Sequence, residues 1–468
     1  MTSFTLAGLG EAVARGLGSF LAGQRWFAGR GRQIASIRPG PSQRLMEGDP
    51  ALVHLLVDVA YADGACERYQ VPLGVGRRAP AGLPGAALVG PGGLLVWDAL
   101  ADAELTGRLL ELLAAGAQVG GLRFATGQGA AKLLDGVDLG DARPLGAEQS
   151  NTSVVVGGRL ILKLFRQVAA GVNPELELTE ALARHGFDAI AAPVGWIELA
   201  GQADPPTLAL LQPFYAGSAE GWALAVERSA AWHAGDDGAG FEAEAEALGE
   251  VTGRLHLALA EALPTRAASA EDLAELVAGR RAELARTLDV APELAGLLGP
   301  LEATLEEADL AGVRLQRIHG DYHLGQVLRA ADGHWVVLDF EGEPARSLAQ
   351  RRRPDSPLRD VAGMLRSFDY AAFQPLLADG GEPDDAAEAR ATAWAAAARA
   401  AFMAGWRAAG GVQEPAGLAA FELDKALYEV RYEASSRPGW LPVPLGGIRR
   451  LLAASSTSDH ARMSAPER

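Results

Sequence analysis

The pattern of apolar and polar positions changes character along the chain. Alternating apolar residues predict strands at 51–60 and 65–73, separated by a turn at 62–64. A further hairpin is predicted at 154–165, where two glycines interrupt the alternation. Beyond residue 220 the sequence is rich in Ala, Leu and Glu at helical spacing. The pattern therefore predicts small sheets followed by a large helical region, which is an α+β fold.

The same pattern divides the chain into four segments. We predict an N-terminal cap subdomain at 1–90 and an intermediate region with a small β-rich lobe at 91–214. A helical lobe is predicted at 215–455, and a flexible tail at 456–468.

Composition excludes several classes of function. The chain has 468 residues and a formal net charge of −17, which argues against binding of nucleic acid or of an anionic membrane. A single cysteine excludes a disulfide framework and a thiolate metal cluster. A charge-free apolar run of about 18 residues, the length that spans a membrane, is also missing. We therefore expect a cytoplasmic protein with no nucleic-acid or membrane partner.

The most informative passage is a His-Gly-Asp triplet with two oxygen-bearing side chains behind it. Asp321 lies on a predicted loop, where its carboxylate could accept the proton of a substrate hydroxyl. Gln326 follows, and Asp339 ends an apolar strand. Amide and carboxylate oxygens are ligands that Mg²⁺ accepts. One base followed by two metal ligands is typical of a kinase-type phosphotransferase, so ATP and Mg²⁺ are the expected cofactors.

Lys163 is the candidate residue for binding the phosphates of ATP. It lies between apolar neighbours on a predicted strand, so its charge requires an anionic partner. We expect that partner to be phosphate together with Glu177 of the next helix, with Glu175 and Glu180 as the other candidates. The alternative is a lysine that reaches from an edge strand into solvent.

Two further segments are expected to contact the nucleotide. The loop before the strand at 154 offers backbone N–H groups and small polar side chains to phosphate, from Ser150, Asn151, Thr152 and Ser153. Backbone groups at Gln212 and Phe214, at the end of another strand, are the candidates for pairing with adenine.

A helix at 421–433 is the candidate wall for a sugar. One of its faces carries two aromatic rings among hydrogen-bonding groups, from Lys425, Tyr428, Glu429 and Tyr432. The alternative is an exposed face with one Lys–Glu pair. His319 and Asp360 complete the candidate substrate residues. We expect His319 mainly to fix its loop by hydrogen bonding, and Asp360 to cap the helix that begins there.

These passages closely resemble actinobacterial maltokinases, which share the fold of aminoglycoside phosphotransferases and, more distantly, of protein kinases. The matching strings are QRWFAGRGR at 24–32, YQVPLG at 69–74, NPELE at 173–177, HGDYHLGQVL at 319–328, DFEGEP at 339–344, DSPLRDVAGMLRSFDY at 355–370, and residues 421–433 with Trp440. The resemblance implies a bilobal protein-kinase-like fold with an N-terminal cap.

The resemblance also implies an activity and roles for single residues. The activity is ATP-dependent phosphorylation of maltose to maltose 1-phosphate for glycogen-type α-glucan synthesis, and an α-glucan or trehalose-converting enzyme is a candidate partner. By position, Asp321 is the catalytic aspartate, Gln326 and Asp339 are magnesium ligands, and Lys163 is the phosphate lysine. The face from Lys425 to Tyr432 would contribute to the sugar pocket.

Two alternatives stay open. A related kinase could act on glucosamine, another amino sugar or an aminoglycoside, but its pocket would need extra carboxylates, and Lys425 would repel a cationic amine. The second alternative is a scaffold without catalysis, which the presence of Asp321, Gln326, Asp339 and Lys163 disfavours.

Overall fold

The computed structural model describes residues 4–24, 26–81, 83, 88–146, 151–306, 314–378, 384–411 and 417–463, apart from the side chains at 15, 22 and 455–463. The chain divides into two compact units, 1–216 and 217–468. Within the described residues, no helix has the length and apolar character needed to cross a membrane. The finer segment boundaries given above stay predictions.

The first unit begins with a helix packed on an antiparallel sheet. Helix α1 covers Leu6–Gly23, and the Thr5 hydroxyl caps it by accepting from the Gly8 N–H at 3.1 Å. The five-stranded sheet has the order β1-β2-β3-β5-β4. Apolar side chains of α1 fill the space above the sheet together with Trp26 and Phe27, which are both buried. The strands are β1 (Ile34–Met46), β2 (Ala51–Tyr61), β3 (Cys66–Gly76), β4 (Leu88–Val89) and β5 (Leu95–Asp98).

A second sheet of seven strands completes this unit, in the order β6-β7-β11-β12-β10-β9-β8. Its strands are β6 (Gln118–Val119), β7 (Leu122–Thr126), β8 (Ala142–Pro144), β9 (Asn151–Val156), β10 (Leu160–Phe165), β11 (Gly195–Leu199) and β12 (Thr207–Pro213). The accompanying helices are α2 (Ala103–Ala114), α3 (Ala130–Leu134) and α4 (Pro174–His185). The predicted hairpin is confirmed, since β9 and β10 pair antiparallel with Lys163 opposite Ser153.

The second unit is mostly helical. Its helices are α5 (Gly221–His233), α6 (Glu242–Ala262), α7 (Ala270–Val290), α8 (Leu298–Glu306), α9 (Leu348–Arg351), α10 (Leu358–Leu377), α11 (Asp385–Ala408), α12 (Leu418–Ser436) and α13 (Pro442–Met463). Two small sheets join β13 (Ala219–Glu220), β16 (Val327–Arg329) and β17 (Trp335–Val337), and β14 (Arg266–Ala267) with β15 (Arg314–Leu315). Antiparallel sheets in the first unit and a large helical second unit confirm the predicted α+β class.

The helices of this unit pack closely, and α10 lies among three others. Helices α6 and α11 approach through glycines, because a Cβ at Gly249 would lie 2.0 Å from the Phe402 carbonyl oxygen, and one at Gly405 would lie 1.9 Å from that of Glu246. Helix α10 packs against α5, α11 and α12, and its residues 360–373 are all buried. Its first turns lie against the loop at 319–326, which we call the HGD loop.

Candidate functional site

The buried carboxylate of Asp360 holds the HGD loop in place through hydrogen bonds. It accepts hydrogen bonds from the backbone N–H groups of His319 and Gly320, both at 2.8 Å, and His256 Nε2 lies 3.3 Å from it. Burial alone would raise the pKa of Asp360, but the hydrogen bond from His256, together with other contacts such as the Gly320 N–H, outweighs it and holds the pKa below its usual value. Asp360 is therefore an anion that orders the loop.

The role expected for Asp360 needs correction. Helix α10 begins at Leu358 with Pro357 at the cap position, so Asp360 lies inside the first turn and caps nothing in its own helix. With an exposure of 1 %, Asp360 also cannot touch a substrate. The neighbouring Arg359 pairs with Asp355 at an N–O distance of 2.7 Å.

His256 and Trp406 belong to this support although sequence reasoning missed them. The indole N–H of Trp406 donates to His256 Nδ1 at 3.2 Å, so the imidazole proton is on Nε2 and faces Asp360. Trp406 is 150 positions from His256 in sequence. A lone histidine on a helix carries no signal of such a distant partner.

His319 serves the loop and not a substrate. Its Nε2 lies 2.7 Å from the Leu338 carbonyl oxygen, and its Nδ1 is 3.3 Å from the Asp321 N–H, which donates to it. The side chain is buried, so its place among the candidate substrate residues is corrected. The expectation that it fixes the loop agrees with these bonds.

Asp321 lies in the wall of a cavity of about 560 Å³ within the second unit. The HGD loop, α7, the segment 342–359 and α12 form the walls. Of the expected substrate residues, Lys425 and Tyr428 line this cavity together with Asp321. His323 is near Asp321, with Nε2 3.9 Å from a carboxylate oxygen. Burial lowers the pKa of His323, although the charge of Asp321 opposes this shift.

Glu429 and Tyr432 do not line the cavity as expected. Glu429 is buried and pairs with Arg366 at 2.9 Å, and burial raises the pKa of its carboxyl group although Arg366 opposes the shift. The helical rotation between adjacent residues turns Glu429 away from Tyr428 and toward α10. Tyr432 is 47 % exposed and stacks on Tyr428, with ring centres 6.5 Å apart.

Aromatic rings continue from the cavity across the surface. The Arg437 guanidinium lies over Tyr432 at 5.6 Å and over Trp440 at 4.9 Å. Trp440 in turn stacks on Tyr370, with 5.8 Å between ring centres and 13° between ring planes. With Tyr428 these side chains form an aromatic row that begins in the cavity wall. Such faces are suited to the apolar faces of sugar rings.

The remaining carboxylates of the cavity lie beside arginines. Six further carboxylates line it, each with an arginine at an N–O distance of 2.5 to 3.6 Å, and Asp355 and Asp424 share Arg359. These carboxylates belong to Asp272, Glu275, Glu283, Glu343, Asp355 and Asp424. Lys425 adds a positive charge, and its ammonium lies 5.2 Å from the ring centre of Tyr428. The pairs of Glu275, Glu283 and Asp424 join residues of separate helices and loops, so no local sequence pattern predicts them.

The two expected metal ligands lie side by side. Gln326 Nε2 donates to Asp339 Oδ2 at 3.1 Å, and the Leu338 N–H donates to the Gln326 carbonyl at 2.9 Å, which closes the ends of the β16–β17 hairpin. Asp339 has φ of 58°, in the left-handed region that residues other than glycine rarely adopt. Backbone strain of this kind is concentrated at functional sites. A carboxylate beside an amide fits the oxygen chemistry of Mg²⁺.

In the first unit, Lys163 forms a buried ion pair. Its ammonium lies 2.9 Å from Glu175 Oε2, with side-chain exposures of 13 % and 4 %. The expected partner, Glu177, is therefore corrected to Glu175. The Asn173 side chain accepts from the Glu175 N–H at 2.8 Å and sets the first turn of α4, and this turn presents Glu175 to the sheet.

Other residues that were expected to contact the nucleotide make hydrogen bonds within the protein. Asn151, Thr152 and Ser153 are in strand β9 and not in a loop, and the Thr152 hydroxyl accepts from Arg166 Nε at 2.7 Å. Ser150 lies outside the described residues. Gln212 is buried, and its side chain donates to the Ala191 carbonyl at 2.7 Å.

The backbone of Phe214 also takes part in the sheet. The Phe214 N–H donates to the Arg159 carbonyl at 2.8 Å, which uses that donor at the end of the strand pair. Adenine binding at Gln212 and Phe214 stays a prediction.

Gly363 allows α10 to approach the HGD loop, and we predict a clear effect of replacing it. A Cβ at this position would lie 2.6 Å from the Tyr322 carbonyl oxygen, next to Asp321. Gly363→Ala should shift the loop, lowering kcat about tenfold and the unfolding free energy by about 1–3 kcal/mol. Steady-state kinetics and denaturant unfolding measure both effects. The control is Gly299→Ala, where the added Cβ meets open space and activity should be unchanged.

Comparisons with known proteins agree with this geometry. A model of the maltokinase N-terminal cap domain matches residues 20–102, and the model of the phosphotransferase enzyme family matches residues 141–421, more than half of the chain. The resemblance to maltokinases within this kinase-like superfamily is thereby confirmed.

Several relatives are named. A glucosamine kinase of Streptacidiphilus jiangxiensis is 35 % identical over 277 residues, which are 56 % of this chain and 60 % of that protein, less than two thirds of its length. A glucosamine kinase of Mycolicibacterium smegmatis is 33 % identical over 66 % of this chain and 79 % of its own. A solved glucosamine kinase in complex with glucosamine, ADP and inorganic phosphate has a TM-score of 0.72 and 26 % identity, covering 97 % of this chain and all of that one. The chain belongs to the phosphotransferase enzyme family.

Proposed function

We propose that this protein is an ATP-dependent sugar kinase that phosphorylates maltose at its anomeric hydroxyl. Asp321 would hold the acceptor hydroxyl in the cavity and take its proton as the hydroxyl oxygen bonds to the γ-phosphorus of ATP and the bond from that phosphorus to the ADP leaving group breaks. Its loop is fixed by Asp360 and His319, so much of the benefit comes from holding the reacting group in place. The single observation that carries the acceptor assignment is the charge pairing in the cavity.

The groups around ATP have separate roles in this proposal. Lys163 would bind phosphate oxygens, and Glu175 holds its ammonium in position. Gln326 and Asp339 are the residues that would hold Mg²⁺. When bound, the metal would offset negative charge on the phosphates.

The cavity favours a neutral acceptor. A protonated amine is bound best by a carboxylate without a cationic partner, and each of the six carboxylates beyond Asp321 already lies beside an arginine, which Asp355 and Asp424 share. Lys425, in the same cavity, would repel an ammonium group. Tyr432, which is 47 % exposed, would offer the second ring of a disaccharide a contact outside the cavity. A product of this kind would feed α-glucan synthesis in the cytoplasm, with an α-glucan or trehalose-converting enzyme as a candidate partner.

Glucosamine is the second candidate acceptor. Two curated relatives that are 33–35 % identical carry the name glucosamine kinase, and the solved relative holds glucosamine. For this acceptor, one of the arginine-paired carboxylates would have to exchange its partner for the amine.

A panel of acceptors tests the proposal. We expect ADP release to be at least about tenfold more efficient, as kcat/KM, with maltose than with glucosamine, glucose or kanamycin. Tyr432→Ala should lower kcat/KM for maltose about two- to tenfold, because one stacking ring is lost, while glucose is unaffected. Tyr432→Phe keeps the ring and is the matched control. Higher efficiency with glucosamine would contradict the neutral acceptor and favour the second candidate.

A further inference from the structure

Buried polar side chains join α10 to α12 at two levels, one helical turn apart. Arg366 of α10 is 1 % exposed, and its Nε donates to Glu429 Oε2 of α12 at 2.9 Å. One turn further along both helices, the Tyr370 hydroxyl donates to Glu433 Oε1 at 3.1 Å, and Glu433 is also buried. Together the two contacts fix both the rotation and the axial position of α12 against α10. We call these four residues the α10–α12 ladder.

Helix α13 encloses the guanidinium of Arg366. A Cβ at Gly447 would lie 2.2 Å from Arg366 Nη1, so this end of the side chain packs tightly against α13. Nη1 also donates to Asp369 Oδ2 at 2.5 Å, and Arg450 Nη2 of α13 donates to the same oxygen at 3.2 Å. At a buried place of this kind, water cannot replace a lost partner, so these contacts hold the guanidinium in one orientation.

At the surface, Arg437 connects the ladder to two aromatic rings. It donates to the Glu433 carboxylate from Nη2 at 2.6 Å and from Nε at 3.0 Å. The same guanidinium lies over the rings of both Tyr432 and Trp440, and Trp440 stacks on Tyr370. The position of Tyr432 therefore depends on α10 as well as on its own helix.

The residues of α12 that face the cavity lie next to the ladder. Lys425 and Tyr428 line the cavity and belong to the helical turn before Glu429. Any rotation of α12 that brought Glu429 toward water would also change the direction of Tyr428. Helix α10 also carries Asp360, which holds the HGD loop. One helix therefore sets the positions of both the catalytic loop and the cavity face of α12.

We propose that Arg366 and Tyr370 are positioning residues of the acceptor site, which hold α12 in the orientation that presents Lys425 and Tyr428 to the sugar. The inference rests on the proposed function, because it needs a sugar in this cavity. A buried ion pair adds little net stability compared with apolar packing of the same volume, but it is satisfied in few geometries. The ladder therefore contributes more to the geometry of the acceptor site than to the stability of the fold.

Replacing both members of the ion pair by apolar residues tests this inference. In Arg366→Met/Glu429→Leu the two charges are removed together, and Asp369 keeps its contact with Arg450, so the protein should fold. We expect KM for maltose to rise at least about tenfold, while kcat and the Kd of ADP with Mg²⁺ stay within about threefold of wild type. Loss of stability alone would lower the folded fraction, and with it the apparent kcat, but would leave KM unchanged.

The matched control is Arg390→Met. It removes an arginine of α11 that lies over the ring of Trp232 and pairs with Asp237 at 3.2 Å, and none of these three residues lines the cavity. KM for maltose should therefore equal the wild-type value in this control. A KM in the folded Arg366→Met/Glu429→Leu protein equal to that of the control would overturn the inference.

Tyr370→Phe tests the second level of the ladder with a smaller change. It removes the hydroxyl that donates to Glu433 but keeps the ring that stacks on Trp440, so the fold should be retained. We expect KM for maltose to rise about two- to fivefold with kcat unchanged. If Arg366→Met/Glu429→Leu does not fold, Tyr370→Phe decides alone, and an unchanged KM would overturn the inference.

The wild-type protein separates a failure of this inference from a failure of the proposed function. If it phosphorylates glucosamine more efficiently than maltose, KM is measured for glucosamine in all variants. A wild-type protein that phosphorylates neither sugar would overturn the proposed function and this inference with it. An active wild type whose KM is unchanged in both ladder variants would overturn this inference alone.

Discussion

Replacing Asp321 by Asn is expected to lower kcat for sugar phosphorylation by about 10²–10⁴, with ADP affinity within about twofold of wild type. Asn has the same shape but cannot accept a proton from the acceptor hydroxyl. The backbone of the HGD loop should keep its position, because its bonds run through His319, Gly320 and Asp360 and not through the replaced side chain. Steady-state kinetics and calorimetry on the same preparation measure the two effects.

Asp332→Asn is the matched control for this experiment. Asp332 lies in the exposed turn between β16 and β17 of the same unit, so the same chemical change there should leave kcat unchanged. An Asp321→Asn protein with more than about a third of the wild-type kcat would contradict a catalytic role for Asp321. Such a result would also favour the alternative of a scaffold without catalysis.

Asp360→Asn should lower both kcat and the free energy of unfolding, although the residue is buried below the loop surface and lines no part of the cavity. The carboxylate accepts from two backbone N–H groups and from His256, but an amide has one acceptor oxygen, and its NH₂ group would face one of these donors. We expect the unfolding free energy to fall by about 3 kcal/mol and kcat to fall about 10–100-fold as the loop moves. Denaturant unfolding and steady-state kinetics provide the measurements.

The pH dependence of this effect has a defined sign. The pKa of Asp360 is lower in the folded protein than the ordinary value of about 3.9, so its contribution to stability is present above that value and is lost as pH falls through the folded pKa. The stability difference between wild type and Asp360→Asn should therefore shrink below about pH 4. Asp289→Asn, on an exposed position of α7, is the control and should change stability by less than about 0.5 kcal/mol. A constant difference across this pH range would argue against a buried, charged Asp360.

Local sequence patterns were enough to predict the main helices and strands and to select the candidate catalytic groups. The strands around 51–61 and the hairpin that carries Lys163 follow from alternation and turn glycines. Asp321, Gln326 and Asp339 were found because they lie close together in sequence around one loop and one hairpin. Because these residues are close in sequence, a local pattern is enough to predict that they lie near one another.

The wrong predictions concern side chains whose partners are determined by the tertiary fold and not by the local sequence. Glu175 and Glu177 are two residues apart on α4, and only the placement of the helix on the sheet decides which one meets Lys163. Asp360 has a typical capping residue type, but a tertiary contact with the HGD loop determines its bonds. The contact of His256 with Trp406, and the arginine pairs of Glu275 and Glu283, join residues far apart in sequence, so no local pattern predicts them.

Transfer of a phosphoryl group from ATP to a sugar hydroxyl at Asp321 can be followed by ³¹P NMR of the reaction mixture. With ATP, Mg²⁺ and maltose, the wild-type protein should produce ADP and a new sugar-phosphate resonance in equal amounts, and Asp321→Asn should produce neither. ATP that is converted only to ADP and inorganic phosphate, with maltose or with glucosamine, would contradict the account.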